Sequence, residues 1–424
     1  MTDQDAGQTA PAIGDTPRAA TTLDSRVPAL DTLRGLAVIG IVPMNVLVFS
    51  MPGAAYVNPR AWGGTGPVEI ALWALVFLII EDKFRNLFAM MFGAGVAILL
   101  AKPMRRPLAG HYARMAALFI IGFAHATLLA NNDILRLYAL AGLILPLFIR
   151  FTPRVLLWIA GLLVAAQFLV AGYYVWPWLE YWWRWQMGAI SELGPLARAE
   201  RAFGADPDAL AFAIERGKES FAQRLERRLT DLTGPMQTAL AAIPSTLAAM
   251  LVGVALWRNG LLAGTWPRRR MLHLGLWAML ISLPILALLA LAAIWSGFSA
   301  VVTAGNALVW SAPFDLLLAV GWAALAMALF THRSDHRLVR RIAAAGRMAL
   351  TNYLATSLVF AALYASWGLG LFGGVGRVSA LATCAIPVGL MVLWSPWWLA
   401  RFRQGPMEWL WRSIAAGRLL PLRR

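Results

Sequence analysis

RVPALDTLRGLAVIGIVPMNVLVFS, residues 26–50, sets an aspartate and an arginine three residues apart and then runs apolar toward the length of a membrane span. Similar apolar runs recur at about 35–50, 87–101, 115–130, 134–149, 155–175, 236–257, 271–297, 308–330, 343–364 and 379–400, each near the ~20 residues a bilayer requires. Hydrophobic residues make up 60% of the 424-residue chain, and mean hydropathy is +0.64. A soluble domain does not need that excess. The pattern predicts an all-α, polytopic integral membrane helical bundle of about ten transmembrane helices. Between Glu69 and Glu81 only Ile70 to Ile80 is uninterrupted, so 68–82 reads as one short interfacial helix.

The net charge of +16 first suggests nucleic acid, but the basic residues fall in short clusters between apolar runs and form no single patch. They report membrane orientation instead. With 68–82 outside the bilayer, one face receives Lys102, Arg105, Arg106 and Arg114, then Arg150 and Arg154, then Arg258 and Arg268 to Arg270. Arg333 to Arg341 and the arginines after residue 400 join them, while Arg60, Lys83, Arg85, Arg136 and Arg377 fall on the other face. The rule that short cytoplasmic loops are rich in Lys and Arg then puts both termini in the cytoplasm. The single cysteine, Cys384, rules out an intramolecular disulfide and a thiol-ligated metal cluster.

Four regions follow: a polar, Pro/Ala/Thr-rich tail over 1–28, expected to be disordered; an N-terminal bundle over 29–175; an extramembrane insert over 176–235; and a C-terminal bundle over 236–424. The insert opens with the aromatic cluster WPWLEYWWRWQ and continues as ERGKESFAQRLERRL, an amphipathic surface helix. A lid and a simple anchor between two bundles both fit it.

Three polar constellations carry chemical interest. Asp31, Arg34 and Asn45 fall within roughly a 60° arc of one helix, which makes a polar stripe entering the membrane; snorkelling by Arg34 and capping by Asp31 is the plainer reading. His125 stands eight residues before Asp133, across a turn holding Asn131 and Asn132. Histidine titrates near neutrality and an aspartate can orient it, the outline of a general base; an interfacial hydrogen bond is the alternative. Glu81, Asp82 and Arg85 fall on the same face and could hold a polar acceptor, or be solvated loop charges. GRMALTNYLATS, 346–357, puts Arg347 and Thr351, and Asn352 and Thr356, one turn apart. Its cationic start suits a phosphate, while its amide and hydroxyls suit helix-to-helix hydrogen bonds. Gly93 and Gly95 suit close helix packing. No Walker, HExxH or GxSxG pattern is present, so the sequence offers no metal-ligating or serine-hydrolase motif.

LDTLRG (30–35), EDKFRNLFAMMFGAG (81–95), GFAHATLLANNDILRLYALAG (122–142), GRMALTNYLATS and RFRQGPMEWLWR (401–412) together resemble the YeiB-like bacterial membrane proteins, whose C-terminal half is domain of unknown function 418. The LDxxRG entry is similar to that of membrane acyltransferases, including the heparan-alpha-glucosaminide N-acetyltransferase and acyltransferase-3 groups. The resemblance implies a multi-pass protein of the bacterial inner membrane. It also implies an acyl-CoA-like donor, with no resident cofactor, met by Asp31, Arg34, Asn45, Arg347, Thr351 and Asn352. His125 and Asp133 would be catalytic, and a sugar, lipid or small acceptor would lie near Glu81, Asp82 and Arg85. Where those acyltransferases carry a histidine before the next span, this chain has Glu81-Asp82-Lys83-Phe84, so His125 would act in its place. A transporter or flippase of a small amphiphile, and a structural scaffold, are the other two functions that fit.

Overall fold

A computed structural model describes residues 28–101, 107–331, 333 and 335–423. Residues 1–27 of the expected tail, with Lys102, Arg105 and Arg106, lie outside it. The described chain is helical throughout, apart from one isolated bridge between Phe402 and Arg423.

α1 (Pro28–Ser50) starts at a proline, whose absent N–H costs nothing in a first turn, and crosses the centre of the bundle. Two close crossings fix its surroundings. α15 (Arg337–Arg347) lies across its first half, where Gly35 faces the carbonyl of Ile342 and Gly346 faces that of Asp31. α3 (Lys83–Leu100) crosses α11 (Ile243–Arg258) in the same manner, Gly93 against the Met250 carbonyl and Gly253 against the Met90 carbonyl. A Cβ at any of the four would collide with backbone, so small residues set these interfaces, as in membrane bundles generally. Gly93 thus behaves as its sequence context suggests, whereas Gly95 has open space beside it.

Among the described residues six helices are long and apolar enough to cross a membrane: α1, α4 (Pro107–Leu128), α6 (Pro153–Gln186), α12 (Arg268–Trp295), α14 (Ala312–Phe330) and the segment Arg377–Arg401. A seventh is bent by 42° between α10 (Thr233–Ala241) and α11. The other expected spans are shorter or interrupted, so the count of ten exceeds what helix length supports. α5 (Ile134–Ile144) gives way to a tight turn at Pro146, which has no N–H to continue the helix. The run expected over 308–330 starts late, at α14, because its first residues belong to a wide turn over Asn306–Trp310 that follows α13 (Ala300–Gly305). The run 343–364 is divided at Met348, where α15 ends and α16 (Ala349–Tyr364) begins. The last run consists of α17 (Arg377–Ala382) and α18 (Ala385–Arg401), followed by α19 (Pro406–Ala416). α2 (Pro67–Ile79) is about 20 Å long at 1.5 Å per residue, short of the ~30 Å hydrocarbon core.

α6, by contrast, runs on for 34 residues through the aromatic cluster, so the insert starts inside a helix and not at a loop. Its last turns pack Trp182 against Leu196, Ala199 and Val301. The rest of the insert, α7 (Gly194–Phe203), α8 (Pro207–Gly217) and α9 (Phe221–Thr230), is pinned to the bundle. The buried Asn58 amide donates to the carbonyls of Phe203 (2.9 Å) and Phe298 (3.0 Å), and Arg60 pairs with Glu200 at 2.5 Å. Both chain ends of the described residues lie at one end of the bundle, and the insert covers the opposite end.

Candidate functional site

The loop charges of the sequence reading divide into two kinds. Lys83, Arg136 and Arg377 are buried side chains, not loop charges. Arg377 donates to the carbonyl of Ala55 at 2.8 Å, and Lys83 pairs with Asp315 at 2.6 Å while donating to the carbonyl of Phe77. Glu81 is also buried, while Asp82 and Arg85 are half-buried and line a small cavity with Val164 and Leu316, apart from the chamber that Asn131 lines. Asp82, with φ at 55°, holds Arg85 at 2.7 Å, and the Arg85 carbonyl accepts the Tyr138 hydroxyl at 2.9 Å.

The expected histidine pair is present. His125 Nδ1 stands 2.7 Å from Asp133 Oδ1, with both side chains essentially without solvent exposure. Two local features bring them together. Gly122, one turn before His125, faces the Arg136 amide and Asp133 Oδ2 so closely that a side chain there would push α4 off the start of α5. Asp133 also caps α5, since its Oδ2 accepts the Arg136 N–H at 2.9 Å. With Oδ2 occupied by the cap and Oδ1 on the ring, the carboxylate is fixed at both ends. His125 Nε2 is buried with no hydrogen-bond partner among the described residues.

Two cavities approach this pair from opposite ends of the bundle. The first, of about 510 Å³, opens at the end bearing the termini. Arg34, Arg114, Arg347 and Arg412 line it beside apolar walls from α3 and α4, and Tyr138 and Tyr353 stand in its lining. Tyr353 is the contact with the histidine: the ring centroids are 5.3 Å apart, and the tyrosine hydroxyl accepts the N–H of Ile134 at 3.4 Å. The second cavity, of about 340 Å³, lies beneath the insert, and the turn Leu129–Asn132 that joins His125 to Asp133 forms part of its wall. The Leu129 and Ala130 amides both donate to the His125 carbonyl, at 2.8 and 3.0 Å.

Of the residues read as a polar stripe, Arg34 lines the first cavity and pairs with Asp31 at 3.1 Å, while Asn45 is buried outside both cavities. The GRMALTNYLATS motif builds a break in the membrane run, and Arg347 and Thr351 sit on either side of it. The break at Met348 leaves backbone groups to satisfy, and side chains supply the partners. Asn352 donates to the Ala345 carbonyl (3.0 Å) and to Ser395 (3.1 Å). Glu408 accepts the Leu350 amide (2.7 Å), the Thr351 amide (3.2 Å) and the Thr351 hydroxyl (2.6 Å). Thr351 and Asn352 therefore tie helices together, and only Arg347 of the three reaches the cavity.

Glu408 was not legible as a site residue, because in an amphipathic helix such as α19 it reads as a solvated charge. Gly405, in tight contact with its carboxylate, and Pro406 at the helix start are the local signals of its approach. Burial raises the Glu408 pKa above its ordinary 4.5, partly offset by the Thr351 hydroxyl and the three backbone amides around it. A carboxyl raised in the folded state stabilises fully below its unfolded pKa and loses that contribution as pH rises through the folded value. Glu408→Gln keeps an acceptor for the two amides and removes the titration. The variant is expected to flatten the fall in melting temperature on the alkaline side of 4.5, measured by thermal unfolding in detergent across pH.

Residues 256–418 match the family described as "Protein of unknown function (DUF418)". A protein of Escherichia coli (strain K12), "Uncharacterized protein YeiB", is 35% identical over 402 residues, covering 91% of this chain and 95% of that one. "Uncharacterized protein YxaH" of Bacillus subtilis (strain 168) is 28% identical over 421 residues, covering 93% and 95%. No solved structure matches. Identity at that level along nine-tenths of both chains settles kinship: the chain belongs to the YeiB-like, DUF418-containing family.

Proposed function

We propose that this protein is a bacterial inner-membrane acyltransferase with both termini cytoplasmic, taking an acyl group from a cytoplasmic acyl-CoA-like donor to a hydroxyl or amine acceptor at the outer face. The observation that carries the reading is a histidine–aspartate pair held between two arginine-lined cavities that open at opposite ends of the bundle.

The inner cavity has the character such a donor requires. Its volume of about 510 Å³ is within the usual ~300–1,000 Å³ range of small-molecule sites. Arginines at the mouth suit phosphates, and the apolar walls beyond them suit an acyl chain. The LDxxRG entry contributes Arg34, positioned by Asp31. At the far end, Asp133 fixes the Nδ1 proton, which leaves the Nε2 lone pair for an acceptor O–H or N–H. As the acceptor's own proton moves to Nε2, the acceptor heteroatom bonds to the thioester carbonyl carbon. The C–S bond then breaks, and the departing thiolate receives the proton from the imidazolium. Tyr353 lies between cavity and ring, so its side chain must swing for donor and base to meet.

Labelled acyl-CoA offered to the full-length protein in lipid, with a mixed lipid and sugar extract, tests the reading. Transfer is expected, and Arg114→Gln with Arg412→Gln is expected to raise the KM for acyl-CoA by about tenfold or more while kcat changes little, as for contacts made equally in ground and transition states. Absence of both transfer and acyl-CoA binding removes the proposal. A flippase, the second reading, would instead move an amphiphile across the bilayer with His125→Gln tolerated.

A further inference from the structure

The α8–α9 hairpin carries its charge on the wrong side for a solvated lid. Arg224, Arg227 and Arg228 are spaced to share one face of α9. They line the second cavity together with Arg216 of α8, and no Asp or Glu lines it with them. Away from them stand Leu229 and the neighbouring Leu232, both exposed. The hairpin is locked in this pose. Arg228 donates to the carbonyls of Ala126 and Thr127 at 3.2 Å each, Ser366 donates to the Glu219 carbonyl, and Phe221 meets Trp367 edge-on at 6.0 Å.

The nearby carboxylate does not balance this charge. Glu219 engages Arg227 at 2.7 Å and approaches Arg216 at 3.9 Å, which leaves four guanidinium groups to one carboxylate around about 340 Å³. Among the described residues Arg224 has one carbonyl contact, to Gly217 at 3.3 Å, and Arg228 Nε is buried with no partner. Capping of α4 accounts for Arg228, and the Glu219 pair accounts for Arg227. Neither accounts for Arg224, which adds a guanidinium to a chamber where Glu219 already serves Arg227 and, at 3.9 Å, Arg216, and crowded like charges repel unless a further anion lies between them.

We infer that the chamber beneath the insert is a binding site for a phosphate-bearing molecule, and that this molecule is the acceptor presented to His125. The word acceptor rests on the acyl-transfer reading; the anion site rests on the chamber alone. A phosphate, with two free oxygens in a diester and three in a monoester, matches several forked donors at once, and the asparagines Asn131 and Asn132 in the wall offer polar contacts to an attached sugar or glycerol. A lipid headgroup and a soluble phosphate ester share this chemistry.

The test uses the full chain in phosphatidylcholine nanodiscs, titrated with glycerol phosphate by calorimetry. In parallel, thermal stability is measured in nanodiscs with and without phosphatidylglycerol. Arg224→Gln is expected to weaken binding by about tenfold or more, with Arg224→Lys between it and the wild type, and added salt is expected to weaken it further. Glycerol phosphate binding points to a soluble ester, and stabilisation by phosphatidylglycerol alone points to the headgroup; either supports the site if Arg224→Gln weakens it. Failure of both probes, or equal binding by wild type and Arg224→Gln, overturns it. Acyl-CoA binding measured on the same samples separates the two ideas, because loss of the anion site with donor binding intact leaves the donor cavity standing. A folded state of Arg224→Gln is checked by that same acyl-CoA binding, and Arg216→Gln serves as the second variant.

Discussion

His125→Ala is expected to lower acyl transfer by about 10²–10⁴-fold, the usual contribution of a positioned general base. The fall should appear in kcat, with acyl-CoA binding unchanged, because Tyr353 stands between the ring and the donor cavity. Asp133→Asn should cost less than removal of the ring, since the asparagine still caps α5 but can no longer hold a protonated Nδ1 by charge. Single-turnover assays with labelled donor separate these effects from folding. A His125→Ala enzyme with wild-type turnover would reassign the pair to helix packing.

Lys83→Met is the substitution expected to cost most in stability. Lys83 and Asp315 face each other at 2.6 Å with side-chain exposures of 0% and 2%, and Ser311 donates to the second carboxylate oxygen at 2.7 Å. Burying the pair costs desolvation, so its net worth is small, but removing one partner leaves the other charge stranded at a cost of about 3–5 kcal/mol. The double variant Lys83→Met with Asp315→Leu should recover most of that loss. Melting temperatures of the three variants in one detergent decide the matter, and equal destabilisation by single and double variants would show that packing, not charge, is at stake.

How much of this could be read beforehand depended on sequence distance. Asp31 and Arg34 are one helical turn apart, and Asp133 stands eight residues after His125 across a short turn, so both contacts are local in the sequence and open to reading there. The membrane class followed from composition. The number of full crossings did not, because the breaks are held by partners far along the chain: Glu408 closes the start of α16 from 58 residues away, and Ser395 meets Asn352 from 43. Nor did hydropathy distinguish loop charges from interior ones. Lys83 and Asp315 each look like a charge beside an apolar run until the fold sets them together. Periodicity correctly gave α9 two faces but could not tell which faced the protein.

The crossing of α3 and α11 limits where the chain can be divided. The family match begins at residue 256, within the last turn of α11, yet Gly253 and Met250 of that helix are already interlocked with Met90 and Gly93. The matched segment is therefore not a separate packing unit. A chain cut at 256 would keep only the tail of the helix that clamps the two halves, and would leave the Gly93 face of α3 without the backbone it meets.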